Sequence, residues 1–275
     1  MDHEEFPQEL IKPILELFSI GQIQEALDAV EVLIKNYPNE SLLFNICGVF
    51  YKEIGQPNEA VKRFKKALVI NPEYAEAHNN LGVALQNLGL MDAAVKSYEN
   101  AVAVKPDYTE AHNNLGVALQ NLGLMDSAVK SYEKAVALKP DYTEAHNNLG
   151  NIFKELKQLD AAIKSYEKVI AINPDYAEAH YNLGNTLREL GQLETAIKSY
   201  EKVIAIKPDY ADVHFNLGDT LRKLGQLDKA VKCYEKAISI KVDFADAHNN
   251  LGVSLKILGQ LDEAVKCYEK AISIE

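Results

Sequence analysis

Residues 108–116 read YTEAHNNLG, and residues 142–150 repeat them letter for letter. Variants keep the same beat: YAEAHNNLG from Tyr74, YAEAHYNLG from Tyr176, YADVHFNLG from Tyr210 and FADAHNNLG from Phe244. Each begins 34 residues after the one before it. A fixed period of this length marks stacked supersecondary units, each burying its apolar face against its neighbours. The positions of one unit are numbered here from the residue after that tyrosine, so Ala75 is slot one.

Glycine falls at slot eight in Gly48, Gly82, Gly116, Gly150, Gly184, Gly218 and Gly252, and at slot fifteen in Gly21, Gly55, Gly89, Gly123, Gly191, Gly225 and Gly259. Those are all 14 glycines of the chain, so their placement reflects backbone demands. Slot fifteen is read as the left-handed cap that closes a first helix. Slot eight lies inside that helix, where glycine costs about 1 kcal/mol against alanine; close approach of a neighbour is the reason to accept it. Alanine at slot twenty (Ala94, Ala128, Ala162, Ala196, Ala230, Ala264) and tyrosine at slot twenty-four (Tyr98, Tyr132, Tyr166, Tyr200, Tyr234, Tyr268) describe a second helix that packs knob into gap. Pro72, Pro106, Pro140, Pro174 and Pro208 end it. Asp107 and Glu110, three apart, read as a capping box for the next helix, as do their equivalents.

Each unit is therefore two antiparallel helices. With Leu-Gly at slots seven and eight, Ala at twenty, Tyr at twenty-four and Pro at thirty-two, the pattern resembles the tetratricopeptide repeat. The resemblance implies an all-α, right-handed superhelical solenoid of helix pairs, first helices on the concave side. Seven tandem repeats are expected over residues 40–275 as one continuous solenoid, preceded by a degenerate helix pair in residues 1–39. In that pair Gly21, Ala26 and Pro38 keep register while Ile14 replaces the slot-eight glycine. Other departures are histidine at slot four, where the family favours tryptophan, Lys157 for the slot-fifteen glycine and Val242 for the slot-thirty-two proline. The sequence stops at Glu275, before the expected proline. That reads as a cut from a longer chain or a fraying last repeat, with an exposed apolar end face favouring end-to-end homo-association.

The chain has 275 residues, 47% hydrophobic and 25% charged, enough for a large core. No apolar run approaches the roughly 18–20 residues that span a bilayer, so no membrane role is expected. A formal charge of −11 disfavours nucleic acid. Three cysteines, Cys47, Cys233 and Cys267, are too few and odd in number for a disulfide framework; free thiols and a cytoplasmic location are expected.

The candidate site begins with the asparagines at slot six: Asn80, Asn114, Asn148, Asn182, Asn216 and Asn250. Slots two, five, six, nine, twelve and thirteen share a helical face, opposite the inward slots four, seven, eight and eleven. A row of amides there can pair with the backbone of an extended peptide. The row is similar to the superhelical repeat domain of O-linked GlcNAc transferases, which implies main-chain binding by those six positions. The competing reading is that the amides bond to neighbouring helices and order the stack. Tyr181 and Phe215 replace asparagine at slot five and would sit on the groove wall as an apolar anchor, or simply as two partly exposed rings. At slot twelve, Gln86 and Gln120 give way to Lys154, Arg188, Arg222 and Lys256. These bases would orient acidic ligand residues, or form a solvated face opposite the slot-two acids. The six slot-four histidines are one repeat apart, about 10 Å by helix packing distances, too far to share a zinc ion bound at about 2 Å; they read as packing residues.

Nothing resembles a nucleophile elbow, phosphate loop or metal-ligand cluster. No catalytic residue, metal or cofactor is assigned, and the chain is not expected to be an enzyme. The expected function is a scaffold binding a protein or extended peptide in its concave groove. Alternatives are the substrate-recruiting region of a larger glycosyltransferase and an assembly protein joined through its end faces. The chaperone-tail clamp of some family members needs lysine or arginine at slots two, five and six, which here hold acids, asparagine and aromatics.

Overall fold

Most helices in this chain start and stop through the backbone, the exception being Ser41–Glu53, where the Glu40 carboxylate accepts from Leu42 N at 3.2 Å. In residues 75–108, α5 (Ala75–Asn87) follows Tyr74, whose side chain makes no capping bond; its carbonyl accepts from His78 N at 3.1 Å. The expected capping box is thus corrected. In the matching repeat, α7 (Thr109–Asn121) is capped by Tyr108, again with no side-chain bond, so Asp107 lies one residue too early. Glu110 still sits in the first turn, where a carboxylate favours the helix N-terminus. The other end behaves as the sequence predicts. Gly89 takes φ 75°, Gly89 N donates to Gln86 O at 2.9 Å, and Leu90 N donates to Leu85 O at 3.0 Å. This is the paired-bond closure that a left-handed residue permits. Lys157 adopts the same turn at φ 60°, with Gln158 N on Phe153 O at 2.8 Å.

The computed structural model describes residues 6–274. Among them are sixteen α-helices, a 3-10 turn at Gln8–Leu10, and no strand. The chain forms two compact units, one ending at Pro140 and one beginning at Asp141. The first holds α1 (Ile11–Ser19), α2 (Ile23–Asn36), α3 (Ser41–Glu53), α4 (Pro57–Ile70), α5, α6 (Met91–Val104), α7 and α8 (Met125–Leu138). The second holds α9 (Thr143–Glu155), α10 (Leu159–Ile172), α11 (Ala177–Glu189), α12 (Leu193–Ile206), α13 (Ala211–Lys223), α14 (Leu227–Ile240), α15 (Ala245–Ile257) and α16 (Leu261–Ile274). Within each unit a first helix packs on the second helix of its own pair and on that of the pair before.

The knob and gap of each pair are the slot-twenty-four ring and the slot-eight glycine. Tyr98, Tyr166, Tyr200 and Tyr234 are fully buried, and a Cβ at Gly82 would stand 2.5 Å from Tyr98 Cε1. The second pair uses Phe64 over Gly48. In the first pair the volumes are evened out: Ile14 and Val30 hold the two slots, both buried in one cluster. The three cysteines are free thiols. Burial pushes Cys47 up to about 12 and Cys233 up to about 11, so both stay protonated and inert at neutral pH.

Candidate functional site

The histidines do more than fill space. His78 Nε2 meets the carbonyl of Pro72 at 2.8 Å, His180 that of Pro174 at 2.8 Å, and His214 that of Pro208 at 2.9 Å. A carbonyl only accepts, so Nε2 carries the proton. The same bond holds His248 to Val242 at 3.1 Å, which shows why the missing proline leaves the loop intact. Among the described residues no group of His, Cys, Asp and Glu could hold a metal ion.

Slots five and six form a polar seam between repeats. In the first unit Asn80 Nδ2 donates to Asn45 Oδ1 and Asn114 Nδ2 to Asn79 Oδ1, both at 3.0 Å. The acceptors are slot-five amides, buried, and Asn45 itself donates to Tyr74 OH at 3.3 Å. In the second unit the seam moves to slot nine. Asn182 Nδ2 donates to Asn151 Oδ1 at 3.2 Å, Asn216 Nδ2 to Asn185 Oδ1 at 3.1 Å, and Asn250 Nδ2 to Asp219 Oδ1 at 2.9 Å. Asn147, bypassed by this move, keeps a buried Oδ1 with no hydrogen bond. Asn148 is half-buried on α9. Asn80, Asn114, Asn182, Asn216 and Asn250 thus each spend a donor on the preceding repeat. The Oδ1 atoms of Asn80, Asn114 and Asn182 take no bond from the described residues and are not sealed from solvent.

Tyr181 also joins the seam, its hydroxyl accepting from Asn216 Nδ2 at 3.1 Å. Its ring lies 5.3 Å from Tyr210, while the half-buried Phe215 lies 4.9 Å from Phe244. Each therefore leans on the aromatic that precedes the next first helix, the partner that asparagine reaches by hydrogen bond in Asn45.

Slots nine and twelve share one duty, accepting the buried tyrosine hydroxyl. Tyr98 and Tyr132 donate to Gln86 and Gln120 of slot twelve at 3.1 and 3.0 Å. Tyr166, Tyr200 and Tyr234 donate to Asn151, Asn185 and Asp219 of slot nine, each at 2.8 Å. Where slot nine accepts, slot twelve no longer needs to, and carries Lys154, Arg188 or Arg222; Arg222 Nε instead donates to the Tyr234 hydroxyl at 3.3 Å. Among the five repeats that bury this tyrosine the signal lay in the sequence as a paired exchange, Val with Gln against Asn or Asp with a base, and was missed. Asp219 becomes a hub. Besides Tyr234 and Asn250 it faces Arg222 Nη2 at 3.5 Å and Arg188 Nη1 at 3.7 Å. Arg188 also donates to Asn216 Oδ1 at 3.2 Å.

The result is an open cleft of about 570 Å³ across α9, α11 and α13, lined by Lys154, Tyr181, Asn185, Arg188, Asn216 and Lys223, with Asp219 and Glu189 beside them. Phe215 and Arg222 do not line it, and Lys256 is exposed on α15. Desolvation holds the Lys154 ammonium below the usual lysine range; Glu189 opposes this, and Arg188 and Lys157 add to it.

A TPR repeat profile matches residues 49–89, 91–123, 125–157, 150–187, 184–225 and 218–256, and tetratricopeptide repeat profiles match 110–139 and 245–275. The chain belongs to the tetratricopeptide repeat family. No curated protein matches it. Among solved structures it is similar to MamA at 32% identity over 58% of this chain and 94% of that one, with a TM-score of 0.57. YrrB, titled a TPR protein with an unusual peptide-binding site, shares 24% identity over 68% of this chain and 96% of its own, TM-score 0.62. The C-terminal part of a TPR repeat-containing protein from Cytophaga hutchinsonii shares 18% over 88% and 99%, TM-score 0.74. The last two likenesses show the fold alone. Among the described residues no helix is long and apolar enough to cross a membrane.

Proposed function

We propose that this tetratricopeptide repeat chain is a non-catalytic scaffold that binds an extended peptide or protein segment along its first helices. The observation that carries the reading is the state of the slot-six asparagines. Their Nδ2 donors hold the stack, and Oδ1 of Asn80, Asn114 and Asn182 keeps lone pairs for a ligand N–H. One amide then serves both seam and ligand, so order in the stack pre-arranges the acceptors and lowers the entropy lost on binding. Tyr181 and the bases at slot twelve add contacts in the second unit, and YrrB, of the same fold, is titled as having a peptide-binding site. The test is a pull-down from lysate with wild-type protein and with Asn80→Ser plus Asn114→Ser, after matching their thermal unfolding. Partners lost only with the variant support the reading; an unchanged set assigns the asparagines to stacking alone.

A second reading, self-association, rests on α16, where Leu261 is 60%, Val265 52% and Ile272 74% exposed. The equivalent residues of α14, Leu227, Val231 and Ile238, are partly covered beside α15. Light scattering across a concentration series tests it: mass should rise with concentration in the wild type and stay constant in Val265→Lys/Ile272→Lys.

A further inference from the structure

We infer that the cleft across α9, α11 and α13 takes an acidic peptide segment, whose carboxylate docks between Lys154 and Lys223. The inference rests on the peptide-binding reading and names the chemistry of its ligand. The resident anions of the cleft are already engaged. Asp219 accepts from Tyr234 and Asn250 and faces two guanidinium groups, and Glu189 is held by Lys157 Nζ at 2.8 Å. Lys154 and Lys223 form no ion pair or side-chain hydrogen bond among the described residues. Lys154 is half-buried, with Arg188 and Lys157 as like charges nearby. Burial leaves that charge under-solvated, and Glu189, its nearest opposing charge, is engaged by Lys157, so an incoming carboxylate gains more there than at an open surface lysine.

The rest of the cleft selects the polymer. The Tyr181 ring and the amides of Asn185 and Asn216 line it beside the cations, offering apolar surface and hydrogen-bond groups to a peptide. Asp219, Glu189 and the chain's net charge of −11 oppose a polyphosphate backbone, whose charge is dense and continuous. An isolated Asp or Glu on an extended chain brings a single charge to the two lysines and so meets less repulsion from the cleft's acids than a continuous polyanion does. The cations come from the ends of the first helices, slots twelve and thirteen, and not from slots two, five and six.

The test uses the whole chain and two fluorescein-labelled peptides, one of repeating Gly-Ser-Glu and one of repeating Gly-Ser-Gln, read by anisotropy at low salt. The Glu peptide should bind roughly tenfold more tightly, and added salt should erase the difference. Lys154→Gln with Lys223→Gln should bring it to the level of the Gln peptide. Lys198→Gln with Lys232→Gln removes the same charge from exposed positions on α12 and α14 and should leave the preference intact. Equal binding of the two peptides, or equal loss in both variants, overturns the acidic-ligand inference. In the first of those cases the groove reading survives if Asn80→Ser/Asn114→Ser weakens both peptides. Binding of neither peptide sinks both.

Discussion

The two units meet one problem in two ways. Tyr98 and Tyr132 in the first unit and Tyr166, Tyr200 and Tyr234 in the second are buried against slot-eight glycines, and each buried hydroxyl needs an acceptor. The first unit supplies it from slot twelve, Gln86 and Gln120, and leaves valine at slot nine. The second supplies it from slot nine, Asn151, Asn185 and Asp219, and fills slot twelve with bases. The first solution is self-contained. The second turns the acceptor into a junction, because the same oxygen also receives the next repeat's asparagine. A packing requirement met by a different residue thereby changes the chemistry of the exposed face.

The largest expected effect is one the two units share, so it tests the burial common to both. Burial raises the tyrosine pKa in Tyr98, Tyr166, Tyr200 and Tyr234; at Tyr234 the bond to Asp219 raises it further. An unfolded phenol loses its proton near pH 10, while the native one keeps it. Above that pH the unfolded state binds fewer protons than the native state. Stability should be flat below about pH 10 and then fall as pH rises through the raised native values. Each buried tyrosine removes about 1.4 kcal/mol per pH unit in that window. Urea unfolding at pH 9 and pH 11 should show a loss of several kcal/mol. A constant midpoint would mean the hydroxyls ionise in place, and the acceptor account would fail for both units.

Substitution of the gap glycines should rank them by clearance, which is tight at Gly82 and at Gly150 and looser at Gly218. A Cβ at Gly82 meets Tyr98 at 2.5, 2.7 and 2.8 Å, whereas at Gly218 it meets Tyr234 at 2.8, 3.0 and 3.1 Å. Gly82→Ala should cost about 2–3 kcal/mol of overpacking, partly offset by alanine's better helix propensity. Gly218→Ala should cost less. Thermal unfolding ranks them, and the reverse order would show that the polar network of Asp219 stiffens the ring against displacement.

The exchange itself can be broken and rebuilt. Asp219→Val removes the acceptor of Tyr234 and Asn250 and the anion facing two arginines, for a loss of about 2–4 kcal/mol. Adding Arg222→Gln recreates the first unit's pairing, since the new amide stands where Gln86 reaches Tyr98. About 1–2 kcal/mol of the loss should return. Urea midpoints of the single and double variants decide; no recovery would mean slots nine and twelve are not alternatives.

The fold was legible because its rules are set by single residue types. Glycine at slot eight admits a ring, and glycine at slot fifteen takes φ near 75–85° in six of the repeats and the first pair. Less legible were contacts whose partner is a backbone atom or whose register depends on how repeats rotate. The Asp107 cap failed because the helix begins at Thr109 and Tyr108 occupies the cap. The histidines read as packing because their partner is a carbonyl six residues earlier, which no side-chain pattern displays. The ladder amides were placed on the right helices, but their donors turn to the preceding repeat, at slot five in one unit and slot nine in the other. The exchange between slots nine and twelve could have been read, since the side chains vary together.

Lys157 gives the smallest and most discriminating prediction. It holds a left-handed turn that seven glycines hold elsewhere, at a cost of roughly 1–2 kcal/mol for a side chain with a Cβ. Lys157→Gly removes that strain, less about 0.5–1 kcal/mol for the extra freedom of glycine in the unfolded chain. It also loses the 2.8 Å pair with Glu189, which is worth only a few tenths because Lys157 is 75% exposed. The net expectation is a gain of about 0.5 kcal/mol in the urea midpoint. The same residue bears on the cleft: Glu189 already attracts Lys154, and with Lys157 absent that attraction is shared with one cation fewer and strengthens. The stabilised variant should therefore bind the Gly-Ser-Glu peptide more weakly than wild type while its affinity for the Gln peptide is unchanged. A variant that is both more stable and equally able to discriminate would mean that Lys157 serves neither end, and that Lys154 does not set the acidic preference of the second unit.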